Sequence, residues 1–358
     1  MSLLTSVDAR TSPLDDFGVL LDDALREFLG SRQGADGELG DELRRLTLAG
    51  GKRIRPTFAW WGWRAAGGAP RADAVVRALV ALELLQTCAL VHDDVMDRSS
   101  TRRGKPSVHE ALAARHRRER WAGSARHYGD SAAILVGDLA LAWADDALVT
   151  AGLPADALQR AWRPWQDVRT EMITGQHLDL QAVARREESL EHAVRVAALK
   201  TAAYTVERPL HLGAALAGAD DDVVKSLREY GHSVGVAFQL RDDLIGVFGD
   251  SSVCGKPVGE DLREGKRTPL MAIALSRAQG NPGAQRLLRR CLTASAVSER
   301  TVDDVRALLV DLGAVAAVEE HIEVLVATGL AALERADLEE RACDELVRLA
   351  HRAVARTT

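Results

Sequence analysis

The sequence predicts an all-α protein, and three observations carry that expectation. Hydrophobic residues make up 47% of the 358 residues while Phe, Trp and Tyr reach only 4%, so the apolar content is mostly Ala, Leu and Val, a mix that favours helices over sheets. Apolar residues recur at helical spacing along most of the chain. No stretch sustains apolar–polar alternation between turn signals.

Taken in order, residues 1–15 are polar and broken by proline, and read as a loose arm. Apolar spacing predicts a helix over 19–29, and the glycine-rich stretch 31–40 a loop. Gly50 and Gly51 break the next helix ahead of Lys52-Arg53-Ile54-Arg55-Pro56. A helix then runs through Phe58, Trp60, Trp61 and Trp63 to the turn at Gly67-Gly68-Ala69-Pro70. Residues 72–96 form one long, largely buried helix, 98–106 a polar loop, and 115–120 a strongly basic stretch. Helices follow over 132–150, 155–183, 190–216 and 222–244. A long charged loop spans 246–267, and amphipathic helices fill 269–355. No linker or repeat divides 16–358, so one all-α domain is expected.

Net charge is −6, which gives no global basic excess for a nucleic-acid partner. Cys88, Cys254, Cys291 and Cys343 are scattered without a CxxC pair, a pattern that fits a reducing cytoplasm and argues against a zinc site. No apolar run reads as long enough to span a bilayer.

Two acid clusters carry the chemistry. The first is Asp93-Asp94-Val-Met-Asp97, followed by Arg102-Arg103-Gly-Lys-Pro. Residues four apart share a helix face, so Asp93 and Asp97 point the same way and can bracket a hard cation such as Mg²⁺. A helix end tolerates Asp, but the two turns leading in are uncharged after Glu83, and solvation alone explains three acids there poorly. Arg102 and Arg103 offer planar forks of donors suited to phosphate oxygens. The second cluster, Asp242-Asp243, ends another apolar helix, with Gln239 before it and Asp250, Lys256 and Lys266 after it. Lys200 sits with Thr201 in apolar sequence and needs a partner. Dense carboxylates repel unless a cation lies between them. Acids beside Arg and Lys therefore point to a diphosphate held with Mg²⁺.

In this set of motifs the chain resembles the trans-isoprenyl diphosphate synthases (polyprenyl synthetase family). The marks are Gly51-Lys52-Arg53-Ile54-Arg55-Pro56, the first acid cluster with its arginines, Lys200-Thr201, Phe238-Gln239-Leu-Arg-Asp242-Asp243, and Gly265-Lys266-Arg267. The resemblance implies the isoprenoid synthase fold, a helical bundle around a deep central cavity, and three Mg²⁺ ions. It implies Asp93, Asp97 and Asp242 as metal ligands, with Asp94 and Asp243 as further catalytic-site acids, Asp243 supporting its neighbour. Arg102, Lys200, Lys256 and Lys266 would bind an allylic diphosphate beside Thr201 and Gln239. Lys52, Arg55 and Arg103 would grip isopentenyl diphosphate, and Gln86 stands where many relatives carry His. The implied reaction is head-to-tail condensation of the two substrates, with departing diphosphate taking the proton and His92 structural. The resemblance also implies a homodimer.

Gly246 departs from the pattern, because many relatives carry a third Asp there; Asp250 is a partial substitute. The departure leaves open a non-catalytic subunit of a heteromeric prenyltransferase. In the family, the residues four and five before Asp93 face the product tunnel. Here they are Ala89 and Cys88, too small to form a floor, with Leu85 one turn further up; Trp60, Trp61 and Trp63 are large enough to plug space nearby. A C20 geranylgeranyl product is expected, with C15 or C25 and longer as alternatives. A terpene cyclase would lack Lys52, Arg55 and Arg103, and a head-to-head synthase the Gly-Lys-Arg-x-Arg-Pro segment.

Overall fold

Long helix α4 (Asp73–Met96) runs through the centre of the N-terminal half, and its position follows from its sequence. Between Val75 and Val91 most residues are apolar and buried, with Arg77 exposed, so neighbours must cover most of its surface. The computed structural model describes residues 13–32, 37–102, 104–249, 259–294 and 297–355. Before α4 come α1 (Pro13–Ser31), α2 (Gly37–Leu48) and α3 (Ile54–Ala65). After it come a two-stranded hairpin, β1 (Thr101–Arg102) and β2 (Lys105–Pro106), then α5 (Val108–Arg118), α6 (Ala125–Val149) and α7 (Ala155–Arg185). Helix α8 (Leu190–Ala197) continues through a π-helical stretch, Ala198–Glu207, into α9 (Arg208–Ala217). Helix α10 (Asp221–Phe248) is followed by α11 (Glu260–Arg263), α12 (Pro269–Arg277), α13 (Pro282–Thr293), α14 (Glu299–Asp311), α15 (Ala314–Leu333) and α16 (Glu340–Val354).

Helix α4 packs on α6, α3 on α9, and α10 on both the π-helical stretch and α15. Two apolar clusters result, and α10 belongs to both. Tyr230, Val234 and Phe238 join the N-terminal cluster, while Leu240, Leu244 and Val247 join the cluster built with α12 to α15. The helix starts are fixed by side chains: Asp220 accepts the Val223 N–H at 2.9 Å and Asn281 the Ala284 N–H at 3.1 Å.

Glycines set how closely the helices approach. A Cβ on Gly213 would lie 1.9 Å from the Ala59 carbonyl oxygen, so α3 and α9 cross in backbone contact there. Gly213→Ala is expected to cost on the order of 1–3 kcal/mol, read as a lower urea midpoint; an unchanged midpoint would show that the crossing yields freely.

The all-α class holds, with the hairpin as the small exception inside the expected 98–106 loop. Helix α2 begins at Gly37, inside the stretch expected as loop, and α1 takes in residues 13–15 of the expected arm; the rest of that arm lies outside the described residues. The absence of any stretch able to span a bilayer needs correcting. Asp73–Met96 contains an 18-residue stretch that is long and apolar enough, at mean hydropathy 1.8, but 72% of that stretch is buried in the bundle, which accounts for its composition. Trp60 stacks on Phe17 with ring centroids 5.1 Å apart, Trp61 is in the core, and Trp63 donates its indole N–H to the Ala69 carbonyl at 3.0 Å. None of the three lines the cavity described next.

Candidate active site

Between α4, the π-helical stretch and α10 lies a cavity of about 940 Å³. Its walls carry Lys52, Arg55, Gln86, Asp93, Arg102, Lys200, Thr201, Gln239, Asp242, Asp243 and Lys266, so residues far apart in the chain meet in one space. Arg103, Lys256 and Asp250 lie outside the described residues.

The first acid cluster divides its labour. Asp93 lines the cavity, with Lys200 Nζ 3.3 Å from Oδ1 and an Arg102 amine 3.7 Å from Oδ2. Burial alone would push its carboxyl up, but Lys200, Lys266 and Arg102 together hold it below the usual range. Asp94 points elsewhere. It is 1% exposed, is absent from the cavity wall, and accepts Arg102 Nε at 2.9 Å as well as a second Arg102 amine. Asp94 thus braces Arg102, which does reach the cavity. Asp97 caps the C-terminus of α4, its N–H donating to the Asp93 carbonyl at 2.8 Å. Burial and the Asp93 charge push its carboxyl up to about 6.

The π-helical stretch places Lys200, Thr201 and Thr205 on the cavity wall and Tyr204 just behind it. Its wider turn is fitted by glycines: a Cβ on Gly175 of α7 would stand 2.4 Å from the Lys200 backbone nitrogen, and one on Gly235 of α10 would stand 2.7 Å from Ala202 Cα. Such stretches recur at functional sites. Lys200 Nζ donates to Asp179 at 2.7 Å. Tyr204 donates its hydroxyl to Gln86 Oε1 at 2.6 Å, and its ring lies 4.0 Å beneath the Arg55 guanidinium, which donates to Thr205 Oγ1 at 3.0 Å.

On the facing wall, Gln239 donates to Asp243 Oδ1 at 2.6 Å. Asp243 is 4% exposed and its Oδ2 has no hydrogen-bond partner among the described residues. Burial and the nearby Asp261 charge push its carboxyl well above the usual range. Lys266 Nζ lies 3.2 Å from Asp261 and 2.9 Å from Glu264.

Leu85, Cys88 and Ala89 do not line this cavity. Leu85 and Cys88 are fully packed, and the nearest cavity-lining positions on α4 are Gln86 and Leu90. His92 is structural in its contacts: Nε2 is 3.1 Å from the Ile134 carbonyl, and the ring presses on Gly137 of α6. Sequence reasoning missed Asp179, Tyr204, Thr205 and Asp261. Only Asp179 left a readable trace, as an acid between Leu178 and Leu180 that, like Lys200, needed a partner.

A model of the polyprenyl synthetase family matches residues 37–309. A geranylgeranyl pyrophosphate synthase from Corynebacterium glutamicum, solved with isoprenyl diphosphate and magnesium, superposes with a TM-score of 0.92 at 42% identity, covering 96% of this chain and 99% of that one. A geranylfarnesyl diphosphate synthase of Aeropyrum pernix is 31% identical over 307 residues, 85% of this chain and 89% of its own. A (2E,6E)-farnesyl diphosphate synthase of Mycobacterium tuberculosis is 32% identical over 313 residues, 86% of this chain and 80% of its own. The fold is the all-α isoprenoid synthase fold, and the molecule is a prenyltransferase that elongates prenyl diphosphate chains. The chain belongs to the polyprenyl synthetase family.

Proposed function

We propose that the protein condenses isopentenyl diphosphate head to tail (1′-4) with an allylic diphosphate, requires Mg²⁺, and makes C20 geranylgeranyl diphosphate as its main product. The observation that carries this reading is a single cavity with two acid faces, Asp93 and Asp242, and two sets of cations. Arg102, Lys200 and Lys266 suit one diphosphate; Lys52 and Arg55 suit a second.

The donor set fits the metal. Asp93 and Asp242 on the cavity wall, and Asp97 at the end of α4 outside that wall, offer the hard carboxylate oxygens that Mg²⁺ takes, and diphosphate oxygens and waters would complete each shell. Among the described residues no three acidic, His or Cys side chains gather into a cage of their own. When bound, Mg²⁺ neutralises the charge that builds on departing diphosphate. Arg102, Lys200 and Lys266 act on the same charge. The allylic C–O bond breaks with its electron pair going to diphosphate, and the isopentenyl alkene attacks the allylic carbon. The new C–C bond forms, and a proton leaves to the released diphosphate. Lys52 and Arg55 hold the second substrate in register for that attack.

The C20 assignment is supported by the C. glutamicum synthase, and Ala89, half-buried next to the cavity-lining Leu90, is the small residue through which it is tested. The exposed apolar side chains Ile134 and Leu135 on α6 suit a homodimer, and the free thiols Cys88, Cys291 and Cys343 suit the cytoplasm. The test is a product assay with Mg²⁺, isopentenyl diphosphate and C5, C10 or C15 allylic primers, sized by mass spectrometry. A dominant C20 product is expected, with Ala89→Phe shifting it to C15. No elongation by folded protein from any primer would overturn the catalytic reading. An unchanged C20 product in Ala89→Phe would place the chain-length stop elsewhere.

A further inference from the structure

Position 246 lies four residues after Asp242, one turn along the same face of α10. It is a glycine, yet the space its side chain would fill is occupied. A Cβ on Gly246 would stand 1.9 Å from Asp261 Oδ2 and 2.6 Å from Asp261 Cγ. The carboxylate comes from α11, outside both acid clusters, and it lines the same cavity as Asp242 and Asp243.

Asp261 is fixed there. Leu262 beside it is 2% exposed and its carbonyl accepts the buried Cys291 thiol at 3.3 Å. Arg263 reaches Glu299 at 2.7 Å, and the Lys266 N–H returns to the Asp261 carbonyl at 3.0 Å. The Asp261 side chain is 16% exposed and touches Lys266 Nζ at 3.2 Å, a cation also held by Glu264. Asp242, Asp243 and Asp261 therefore line one wall, and Asp243 Oδ2 is buried there without a hydrogen-bond partner among the described residues. Carboxylates that share a wall repel one another unless a cation lies between them.

We propose that Asp261 supplies from α11 the carboxylate that α10 lacks at Gly246, acting as an oxygen donor to the cation held on the Asp242 wall while positioning Lys266. Gly246 is then required to be small, because any side chain would evict that carboxylate. The inference rests on the prenyl-condensing reading above, and it names a residue belonging to neither acid motif.

The test is calorimetric titration of Mg²⁺ into the full-length protein saturated with inorganic pyrophosphate, with melting followed in parallel. Asp261→Asn keeps the shape and is expected to weaken Mg²⁺ binding by about 10–100-fold, the usual effect of losing a supporting donor. Gly246→Ala should weaken it similarly, by displacing Asp261. The exchange Gly246→Asp with Asp261→Ala should bind Mg²⁺ more tightly than Asp261→Asn, because a carboxylate returns to the same space from the other helix. Unchanged Mg²⁺ affinity in Asp261→Asn would overturn the proposal and leave the condensation reading intact. Unfolding of Asp261→Asn together with failure of the exchange variant would also overturn it, marking Asp261 as a structural anchor. Failure of the unaltered protein to bind Mg²⁺ with pyrophosphate would instead sink the reading on which it rests.

Discussion

Asp93→Ala is expected to lower the turnover of condensation by about 10²–10³-fold, the scale seen when one preorganised electrostatic group is lost from a reacting centre. Asp93 is the acid of the first cluster that lines the cavity, and it sits against Lys200 and Arg102. Its removal would take away an oxygen donor for Mg²⁺. It would also leave Lys200 to Asp179 and Arg102 to Asp94 alone, so the two cations would shift and bind diphosphate in altered positions. The check is steady-state kinetics at saturating Mg²⁺, with Mg²⁺ titrated separately. Both turnover and Mg²⁺ affinity should fall. Near-parental turnover would remove Asp93 from the reacting centre. Asp94→Asn is the informative comparison, because Asp94 is buried against Arg102 and should act through the arginine alone.

Glu83→Ala is expected to cost about 3–5 kcal/mol of folding stability, the range for breaking a buried ion pair from one side. Glu83 and Arg53 pair with side chains only 8% and 11% exposed. Arg53 also donates to the Thr47 carbonyl at 3.2 Å and to Asp22 at 3.1 Å, and its own carbonyl accepts the Thr57 hydroxyl at 2.7 Å. It does so from a left-handed backbone conformation, φ 48°, that opens α3. Losing Glu83 would leave the largely buried guanidinium with the half-exposed Asp22 as its remaining carboxylate partner among the described residues, just where Arg55 must be held over Tyr204. Urea denaturation reads the effect. Replacing both partners together, Arg53→Met with Glu83→Leu, should recover much of the loss, because two apolar side chains carry no desolvation cost. A loss under about 1 kcal/mol in Glu83→Ala would mean the pair behaves as a solvent-exposed one.

Most of the helices were legible because each buries a stripe that repeats at the helical period, and α4 was legible because it buries most of its surface. The acid clusters were legible for a related reason: charge at the end of an apolar helix needs a cause. What stayed hidden depended on approach between distant segments. Asp261 lies in charged sequence where one more acid carries no signal, and only the missing side chain of Gly246 gives it meaning. Asp94 and Asp93 are adjacent and chemically identical, yet one turns inward to Arg102 and the other to the cavity, a difference set by helix phase. The short hairpin and α11 are too brief for any period to register. The π-helical stretch reads as continuous α-helix in sequence, because its wider turn comes from packing against Gly175 and Gly235.

That wide turn acts as a phase marker in the chain. An α-helix advances about 100° per residue, so if Ala198–Glu207 were plain α-helix, Lys200 and Thr205, five residues apart, would stand about 140° apart around the axis. Lys200 and Thr205 would then no longer share a wall. The wider turn keeps both on one wall, and length variation among relatives should be tolerated in the loops and refused here.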